Sequence, residues 1–169
     1  MLLSAGFPCT ETLMMHGMIL GPDGNKMSKT IGNVISPKEQ IEKYGVEAVR
    51  FYLIAGTPTF GYAAYKEDDL VFLYNARLAN SFGNLLSRVI TLANNHQLSV
   101  QTGMLSNLAT EKIYPLKDKA IQHYTAYNLY EASSTIHELV MRGNKYLDDV
   151  KPREKTVDPQ VVMQTLSDL

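Results

Sequence analysis

The longest regular pattern in the sequence is an apolar stripe within residues 66–96. Apolar side chains recur there in steps of three or four residues, which is the spacing of one face of an α-helix. Such a helix would extend about 45 Å at about 1.5 Å per residue. No strand pattern follows it, so the second half of the chain is predicted to be mainly helical. The stripe consists of Leu70, Tyr74, Leu78, Phe82, Leu85, Val89 and Leu92.

Further helices are predicted after this stripe. A helical stretch follows from about Glu111. Asn128 with Glu131 matches a capping box, which predicts a break before it and a new helix that runs to about Asp149. The pair Asp158-Pro159 predicts the start of a last helix.

The first part of the chain has a different pattern, in which short elements alternate with turns. Residues 13–20 form an apolar run that predicts a strand, and the run ends at the turn sequence Gly21-Pro22-Asp23-Gly24. Ser36-Pro37-Lys38-Glu39 predicts a helix start, with Ser as the cap and Pro at the first helical position. This helix is predicted to end at Gly45, and a second helix follows from Val46 to about Ala55.

Residues 57–65 contain the glycine, proline and threonine that are typical of a linker. On either side of them the pattern changes from short elements to long helices. The sequence therefore predicts a first unit of residues 1–56, a linker of residues 57–65 and a helical unit of residues 66–169.

Charge and cysteine content limit the classes of protein to which the chain can belong. The formal net charge is -1, so any contact with nucleic acid has to come from local clusters of cations. The single cysteine, Cys9, excludes a disulfide framework and gives no metal-ligand spacing. No apolar run approaches the roughly 18 residues of a membrane span, and residues 1–8 lack the basic leader and the full hydrophobic region expected of a signal peptide. We expect no membrane partner and a cytoplasmic location.

The sequence GPDGNKMSKTIGN, residues 21–33, concentrates groups that bind phosphate. Lys26 and Lys29 carry flexible ammonium groups, which suit a triphosphate whose charge shifts during a reaction. Ser28 and Thr30 add hydroxyl donors. The alternative is an ordinary solvated loop, because two lysines three residues apart often occur by chance.

Three stretches of the sequence resemble the methionyl enzymes among the class I aminoacyl-tRNA synthetases. Residues 16–54, HGMILGPDGNKMSKTIGNVISPKEQIEKYGVEAVRFYLI, are similar to the KMSKS region of that family. YNARLANSFGNLLSRV and GNKYLDDVKPR are similar to helices of its anticodon-binding domain. The resemblance implies a mainly α fold: a C-terminal remnant of a Rossmann-type catalytic domain over residues 1–56, then an antiparallel α-helical bundle over residues 66–169 that is incomplete at its C-terminus.

The resemblance also implies an activity, that of an ATP-dependent methionine–tRNA ligase. Such an enzyme activates methionine with ATP, bound as its magnesium complex, and charges methionine tRNA. By this resemblance Lys26 and Lys29 are catalytic, because they would stabilise the triphosphate in the transition state. The residues implied to bind ATP are Lys26, Met27, Ser28, Lys29 and Thr30. Thr30 stands where the family usually has serine, and it keeps the hydroxyl.

Other parts of that family have no counterpart in this sequence. Its HIGH motif, its methionine pocket and its zinc-bearing insertion belong upstream of the region that Met1 begins. We therefore expect no zinc or other metal site in these 169 residues. We also expect the chain to be inactive alone, and to bind methionine only together with the N-terminal half.

Asn84 and Arg88 match the N-x-x-x-R pattern with which the family contacts the anticodon. A spacing of four places both on one helix face, and amide and guanidinium groups suit the exposed bases of an RNA loop. The resemblance implies a third contact at Arg153, where the family typically has tryptophan. The expected partner is the anticodon stem-loop of methionine tRNA, and the alternative is a solvated polar face of a helix.

Two other functions remain open at this point. The first is a stand-alone module that binds a tRNA stem-loop without catalysis. The second is a class I ligase for another amino acid, since the pocket that would decide the amino acid lies outside this sequence.

Overall fold

The computed structural model describes residues 1–96 and 113–150. Its secondary structure is mostly helical, as predicted from the sequence, and it includes one small parallel sheet. A 3₁₀ turn covers Leu3–Ala5, and the strands are β1 (Ile19–Leu20) and β2 (Ala63–Ala64). The helices are α1 (Pro37–Tyr44), α2 (Val46–Ala55), α3 (Glu67–Leu73), a π-helix (Tyr74–Gly83), α4 (Asn84–His96), α5 (Tyr114–Thr125) and α6 (Leu129–Val150). None of the helices in these two described ranges is long and apolar enough to cross a membrane.

The two strands pair in parallel, with Ile19 opposite Ala63. The strand predicted over residues 13–20 is therefore reduced to its last two residues. Just before it the backbone passes very close to another segment, since a Cβ at Gly17 would lie 1.6 Å from the carbonyl oxygen of Gly61. Only glycine fits at such an approach.

Residues 57–65 have more structure than the linker that their composition predicts. Their end includes β2, and the side chains of Thr57 and Tyr65 are buried. The Tyr65 ring packs edge-on against Tyr52 with 5.3 Å between the ring centroids. Local composition gave no sign of this, because a parallel pair joins strands that are far apart in sequence.

Helix α1 begins and ends where the sequence predicts. The Glu39 N–H donates to Ser36 Oγ at 3.4 Å, and Pro37 is the first helical residue. Gly45 follows the last helical residue with a φ of +85°, which glycine adopts without strain. Helix α1 begins shortly after residues 21–33, so its N-cap at Ser36 fixes the chain just beyond that loop.

The helix predicted over residues 66–96 is present as one helical run, but its middle is a π-helix. In a π-helix the hydrogen bonds join residues five apart, so the turns are wider than those of an α-helix. Two residues of the predicted stripe, Tyr74 and Phe82, are consequently 40% and 48% exposed, whereas Ser81 is buried. The prediction of one continuous apolar stripe was wrong here because it assumed the α-helical period throughout.

Two clusters of buried hydrophobic side chains lie within residues 1–96 and 113–150. The first cluster consists of Ala48, Val49, Tyr52, Tyr65 and Leu70. The second joins α4 to α6 through Leu92 and Leu147, with Leu85, Val89 and Ala93 packed beside them. Helix α6 also contacts α2 and the π-helix, so it connects the two clusters.

Helices α5 and α6 pack against each other across a short turn. Tyr127 in this turn has a positive φ of +58°, and Asn128 Oδ1 accepts a hydrogen bond from the Glu131 N–H at 3.5 Å. The predicted break and the helix after it are confirmed. The helix predicted from Asp158 lies outside the described residues.

Candidate functional site

Residues 21–33 form a loop between β1 and α1, with a tight turn at its start. The Gly24 N–H donates to the Gly21 carbonyl at 2.9 Å, and the Gly21 N–H donates to the Asn25 carbonyl at 2.8 Å. Gly24 has a φ of +77°, which side-chain-bearing residues rarely adopt. The turn predicted at Gly21–Gly24 is therefore confirmed.

The side chain of Asn33 ties the end of this loop to its beginning and its middle. Asn33 Nδ2 donates to Asp23 Oδ1 and Oδ2 at 3.0 and 3.1 Å, and it lies 3.3 Å from the Lys26 carbonyl oxygen. Asn33 Oδ1 accepts a hydrogen bond from the Ser28 N–H at 2.8 Å. Hydrogen bonds from Asn33, and then from Asn25, lower the pKa of the Asp23 carboxyl below its usual value.

The five predicted ATP-binding residues differ in their exposure. Met27 is partly buried and packs on the first core cluster, so the middle of the loop is held against the fold. Ser28 is half-buried, while Lys26, Lys29 and Thr30 are exposed. Within the described residues, neither lysine side chain has a hydrogen-bond or ion-pair partner. The loop thus presents two exposed cations on a backbone that is fixed at several points.

A hydrogen-bonded contact joins the end of α1 to the start of α3. Glu67 Oε1 accepts from Lys43 Nζ at 2.6 Å and from the Tyr44 hydroxyl at 2.5 Å. The hydrogen bond from Lys43, followed by that from Tyr44, lowers the pKa of Glu67. The hydrogen bond to Glu67 raises the pKa of Lys43. The helix after the loop is thereby connected to the helical run that contains Asn84 and Arg88.

Asn84 and Arg88 lie together at the contact between α4 and α6, and both reach Asn144. Asn84 Nδ2 donates to Asn144 Oδ1 at 3.3 Å, and Arg88 Nη1 donates to the Asn144 carbonyl oxygen at 3.3 Å. Asn144 Nδ2 in turn donates to the carbonyl oxygens of Ser81 and Val140, at 3.0 and 3.3 Å. The predicted pair is therefore fixed by a side chain that also bonds to the π-helix.

Arg88 is also paired with an acid on α6. Arg88 Nη2 lies 2.6 Å from Asp148 Oδ1, and the side chains of Arg88 and Asp148 are 19% and 68% exposed. A guanidinium group has five N–H donors, so these contacts use only some of the hydrogen-bond donors of Arg88. The predicted Arg153 lies outside the described residues.

Three residues of these sites were not predicted. Asn33 forms its contacts through a loop conformation that no local pattern indicates. Asn144 and Asp148 are spaced by four on α6, as Asn84 and Arg88 are on α4. Two polar pairs with the same spacing on two helices could have predicted that these residues contact each other.

No group of three or more His, Cys, Asp or Glu side chains in residues 1–96 and 113–150 could hold a metal ion. In the loop itself, both carboxyl oxygens of Asp23 already accept hydrogen bonds from amide groups. The charged groups that the loop offers to a ligand are therefore its two lysines.

A family model described as tRNA synthetases class I (M) matches residues 1–90. The match includes the loop, α1 to α3, the π-helix and both Asn84 and Arg88. This chain belongs to the class I tRNA synthetases. The family resemblance inferred from the motif sequences is confirmed.

Proteins similar in sequence to this class I synthetase chain include methionine–tRNA ligases. The protein from Ureaplasma parvum serovar 3 is 35% identical over 164 residues, which cover 94% of this chain and 31% of that protein. The protein from Bacillus subtilis is 33% identical over 166 residues, which cover 94% of this chain and 25% of that protein.

A solved structure of methionyl-tRNA synthetase from Mycobacterium tuberculosis, in complex with methionyl-adenylate, matches with a TM-score of 0.78 and 25% identity. That match covers 99% of this chain and 34% of the other. The class I synthetase chain thus spans about a third or less of the length of the proteins that it matches.

Proposed function

We propose that this chain forms part of an ATP-dependent methionine–tRNA ligase, and that residues 21–33 bind the triphosphate of ATP in it. One observation carries the proposal: exposed Lys26 and Lys29 lie on a loop that Met27 and Asn33 hold against the fold. Membership of the class I tRNA synthetases supports it.

The chemistry of adenylate formation explains why lysines would be needed at this position. When methionine attacks ATP, pyrophosphate leaves and negative charge grows on the leaving phosphates. Ammonium groups near those phosphates stabilise the transition state more than the ground state. Lys26 and Lys29 have no competing partner within the described residues, and the Ser28 and Thr30 hydroxyls add donors. Magnesium would enter with ATP, as part of the substrate complex.

Methionine and methionine tRNA are the proposed substrates because the relatives carry the name of that ligase. In this proposal the methionine pocket comes from residues outside the chain described here. The 169-residue polypeptide by itself is therefore expected to bind ATP without forming methionyl-adenylate. We propose a cytoplasmic location, where ATP and tRNA are both present.

The test is a chimera in which this chain replaces the matched segment of the Ureaplasma parvum ligase. We expect methionine-dependent exchange of pyrophosphate into ATP and charging of methionine tRNA by the chimera. The 169-residue polypeptide alone should give no more exchange than its Lys29→Ala variant. A folded chimera without exchange activity, or activity in the polypeptide alone, would contradict the proposal.

We further propose that the contact between α4 and α6 binds the anticodon stem-loop of methionine tRNA. Asn84 and Arg88 would meet the bases, with Asn144 holding both in place, because amide and guanidinium groups recognise and stack on unpaired bases. The proposal includes Arg153, whose planar guanidinium would stack on a base in place of the tryptophan of the family.

We propose that the two functions belong to different domains. Residues 1–56 would be the end of the catalytic domain, and residues 66–169 would be the anticodon-binding bundle. The short turn between α5 and α6, which pack together, supports an antiparallel arrangement of the bundle. Limited proteolysis tests the division. We expect cleavage within Leu13–Thr30 before cleavage within Leu70–Val89, and equal protection of both would count against two units.

A further inference from the structure

We propose that Asn33 is a positioning residue for the phosphate-binding loop, and that its pairing with Asp23 holds Lys26 and Lys29 ready for ATP. This inference rests on the function proposed for the loop. One side chain uses both of its polar groups: Asn33 Oδ1 accepts from the Ser28 N–H at 2.8 Å. Its Nδ2 reaches Asp23 at 3.0 Å and the Lys26 carbonyl oxygen at 3.3 Å. Asn33 therefore fixes the backbone at the first lysine and beside the second.

The pair of Asp23 and Asn33 lies close against the backbone at Gly21. Gly21 is buried below it, and a Cβ at Gly21 would lie 2.8 Å from Asp23 Oδ1 and 2.9 Å from Asn33 Nδ2. Real Cβ atoms do not approach polar atoms that closely, so any side chain at this position would push the pair apart. Gly21 thus leaves room for the pair, which joins the turn at the start of the loop to the end of the loop.

Fixing the backbone matters because the loop has conformational freedom at both ends. Gly24 and Gly32 have φ values of +77° and +78°, and glycine has many other conformations available to it. A loop that is ordered before ATP arrives loses less entropy on binding and keeps its cations in place for the transition state. Asn33 supplies this order without using the lysine side chains themselves.

A charge exchange between the two residues tests the inference. In Asn33→Asp a second carboxylate faces Asp23 at hydrogen-bond distance, and the two like charges repel. The double variant Asp23→Asn with Asn33→Asp removes the repulsion. It also restores an amide–carboxylate pair, and the carboxylate introduced in place of Asn33 can still accept from the Ser28 N–H. The matched control is Asn25→Asp, which also places a carboxylate beside Asp23, but the Asn25 side chain bonds to Asp23 and makes no hydrogen bond to Lys26 or Ser28 within the described residues.

Two measurements report the effect of these substitutions: amide hydrogen exchange at Ser28 and the rate of pyrophosphate exchange. Amide hydrogen exchange of Ser28 in the 169-residue protein should become about tenfold faster in Asn33→Asp, since the hydrogen bond from the Ser28 N–H to the side chain at position 33 is destabilised. In the chimera with the Ureaplasma parvum ligase, pyrophosphate exchange should fall about tenfold with an unchanged KM for methionine. The double variant should return both to within about threefold of the parent, because the two sites are coupled. The melting temperature should stay the same in every variant, since the loop is largely exposed.

The outcomes separate this inference from the proposed function. If Ser28 exchange is unchanged in Asn33→Asp, if Asn25→Asp has the same effect, or if the double variant shows no recovery, Asn33 has no positioning role. A lower melting temperature that accounts for the lost activity would also overturn it. If ATP fails to bind the unmodified loop while Ser28 behaves as expected, the proposed function fails and the role of Asn33 in ordering the loop stands.

Discussion

Lys29 and Arg88 are both cations for which we propose a phosphate-rich ligand, yet the protein holds them in different ways. Lys29 is exposed and has no side-chain partner within the described residues. Arg88 is 19% exposed and already engages Asp148 at 2.6 Å and Asn144 at 3.3 Å. In the loop, hydrogen bonds fix the backbone at Lys26 and Ser28. On the helical face formed by Asn84 and Arg88, hydrogen bonds fix the side chains that would contact RNA.

The difference predicts two modes of binding. A ligand of the loop can bind the lysines directly, because within residues 1–96 and 113–150 no side-chain contact of either lysine has to break first. RNA at the helical face would have to replace Asp148 or use the donors of Arg88 that remain. An ion pair with one largely exposed member contributes about 1 kcal/mol or less, so such an exchange costs little.

The largest effect is expected for Lys29→Ala in the chimera with the Ureaplasma parvum ligase. Loss of a charge-assisted contact made in the transition state costs about 3 kcal/mol, which corresponds to a rate of pyrophosphate exchange lower by about two orders of magnitude. The affinity for methionine should hardly change. Lys38→Ala is the matched control, because Lys38 is 85% exposed and pairs only loosely with Glu42 at 3.9 Å. An equal loss in methionine affinity would show that Lys29 has another role.

A smaller but still large effect is expected for Arg88→Ala on the affinity for an anticodon stem-loop. A guanidinium that contacts a base contributes about 1–3 kcal/mol, so binding should weaken by roughly fivefold to 150-fold. Fluorescence anisotropy of a labelled stem-loop at fixed salt measures the change. Arg142→Ala serves as the control, since Arg142 pairs with Glu138 on its own helix at 2.7 Å. If both variants weaken binding equally, the helical face attracts RNA by charge alone.

Asp148→Asn tests whether the partner of Arg88 limits RNA binding. The substitution removes a negative charge and frees the guanidinium, so stem-loop affinity should rise by roughly threefold to fivefold, or about 0.7–1 kcal/mol. Asp149→Asn is the control, because it removes the same charge from the next residue, which does not contact Arg88 in the described structure. A decrease in affinity, or the same increase in both variants, would contradict the exchange of partners.

A further effect concerns the core against which Met27 of the loop packs. Burial raises the pKa of Tyr65 from its usual value near 10 to about 12, so the folded protein keeps the proton longer than the unfolded chain does. Tyr65 therefore contributes stability that is present below pH 10 and is lost as the pH rises to about 12. In Tyr65→Phe this alkaline loss should be smaller, as measured by chemical denaturation at several pH values. Tyr62→Phe, at a site that is 72% exposed, should leave it unchanged.

How far the sequence predicts this molecule depends on the sequence separation of the contacts. The start of α1 was predicted because Ser36, Pro37 and Glu39 interact within one helical turn. The turn at Gly21 and the helix after Asn128 were predicted for the same reason. Membership of the family followed from the motif sequences around Lys26 and Lys29.

Features that depend on distant partners were not predicted. The pairing of β2 with β1, the π-helix and the contacts of Arg88 with α6 all involve segments far apart in sequence or a helical period that composition does not show. The face of a helix that carries Asn84 and Arg88 can be predicted, but not whether Asp148 already pairs with the arginine.

The most direct test of the account is a map of where ATP binds the 169-residue protein. Backbone amide shifts recorded during a titration with ATP and magnesium should change at residues 24–33, and inorganic tripolyphosphate should cause the same changes. Lys29→Ala should weaken both titrations, while Arg88→Ala should leave them unchanged. Shifts that appear around Arg88 and not in the loop, or that tripolyphosphate fails to reproduce, would contradict a phosphate site on residues 21–33.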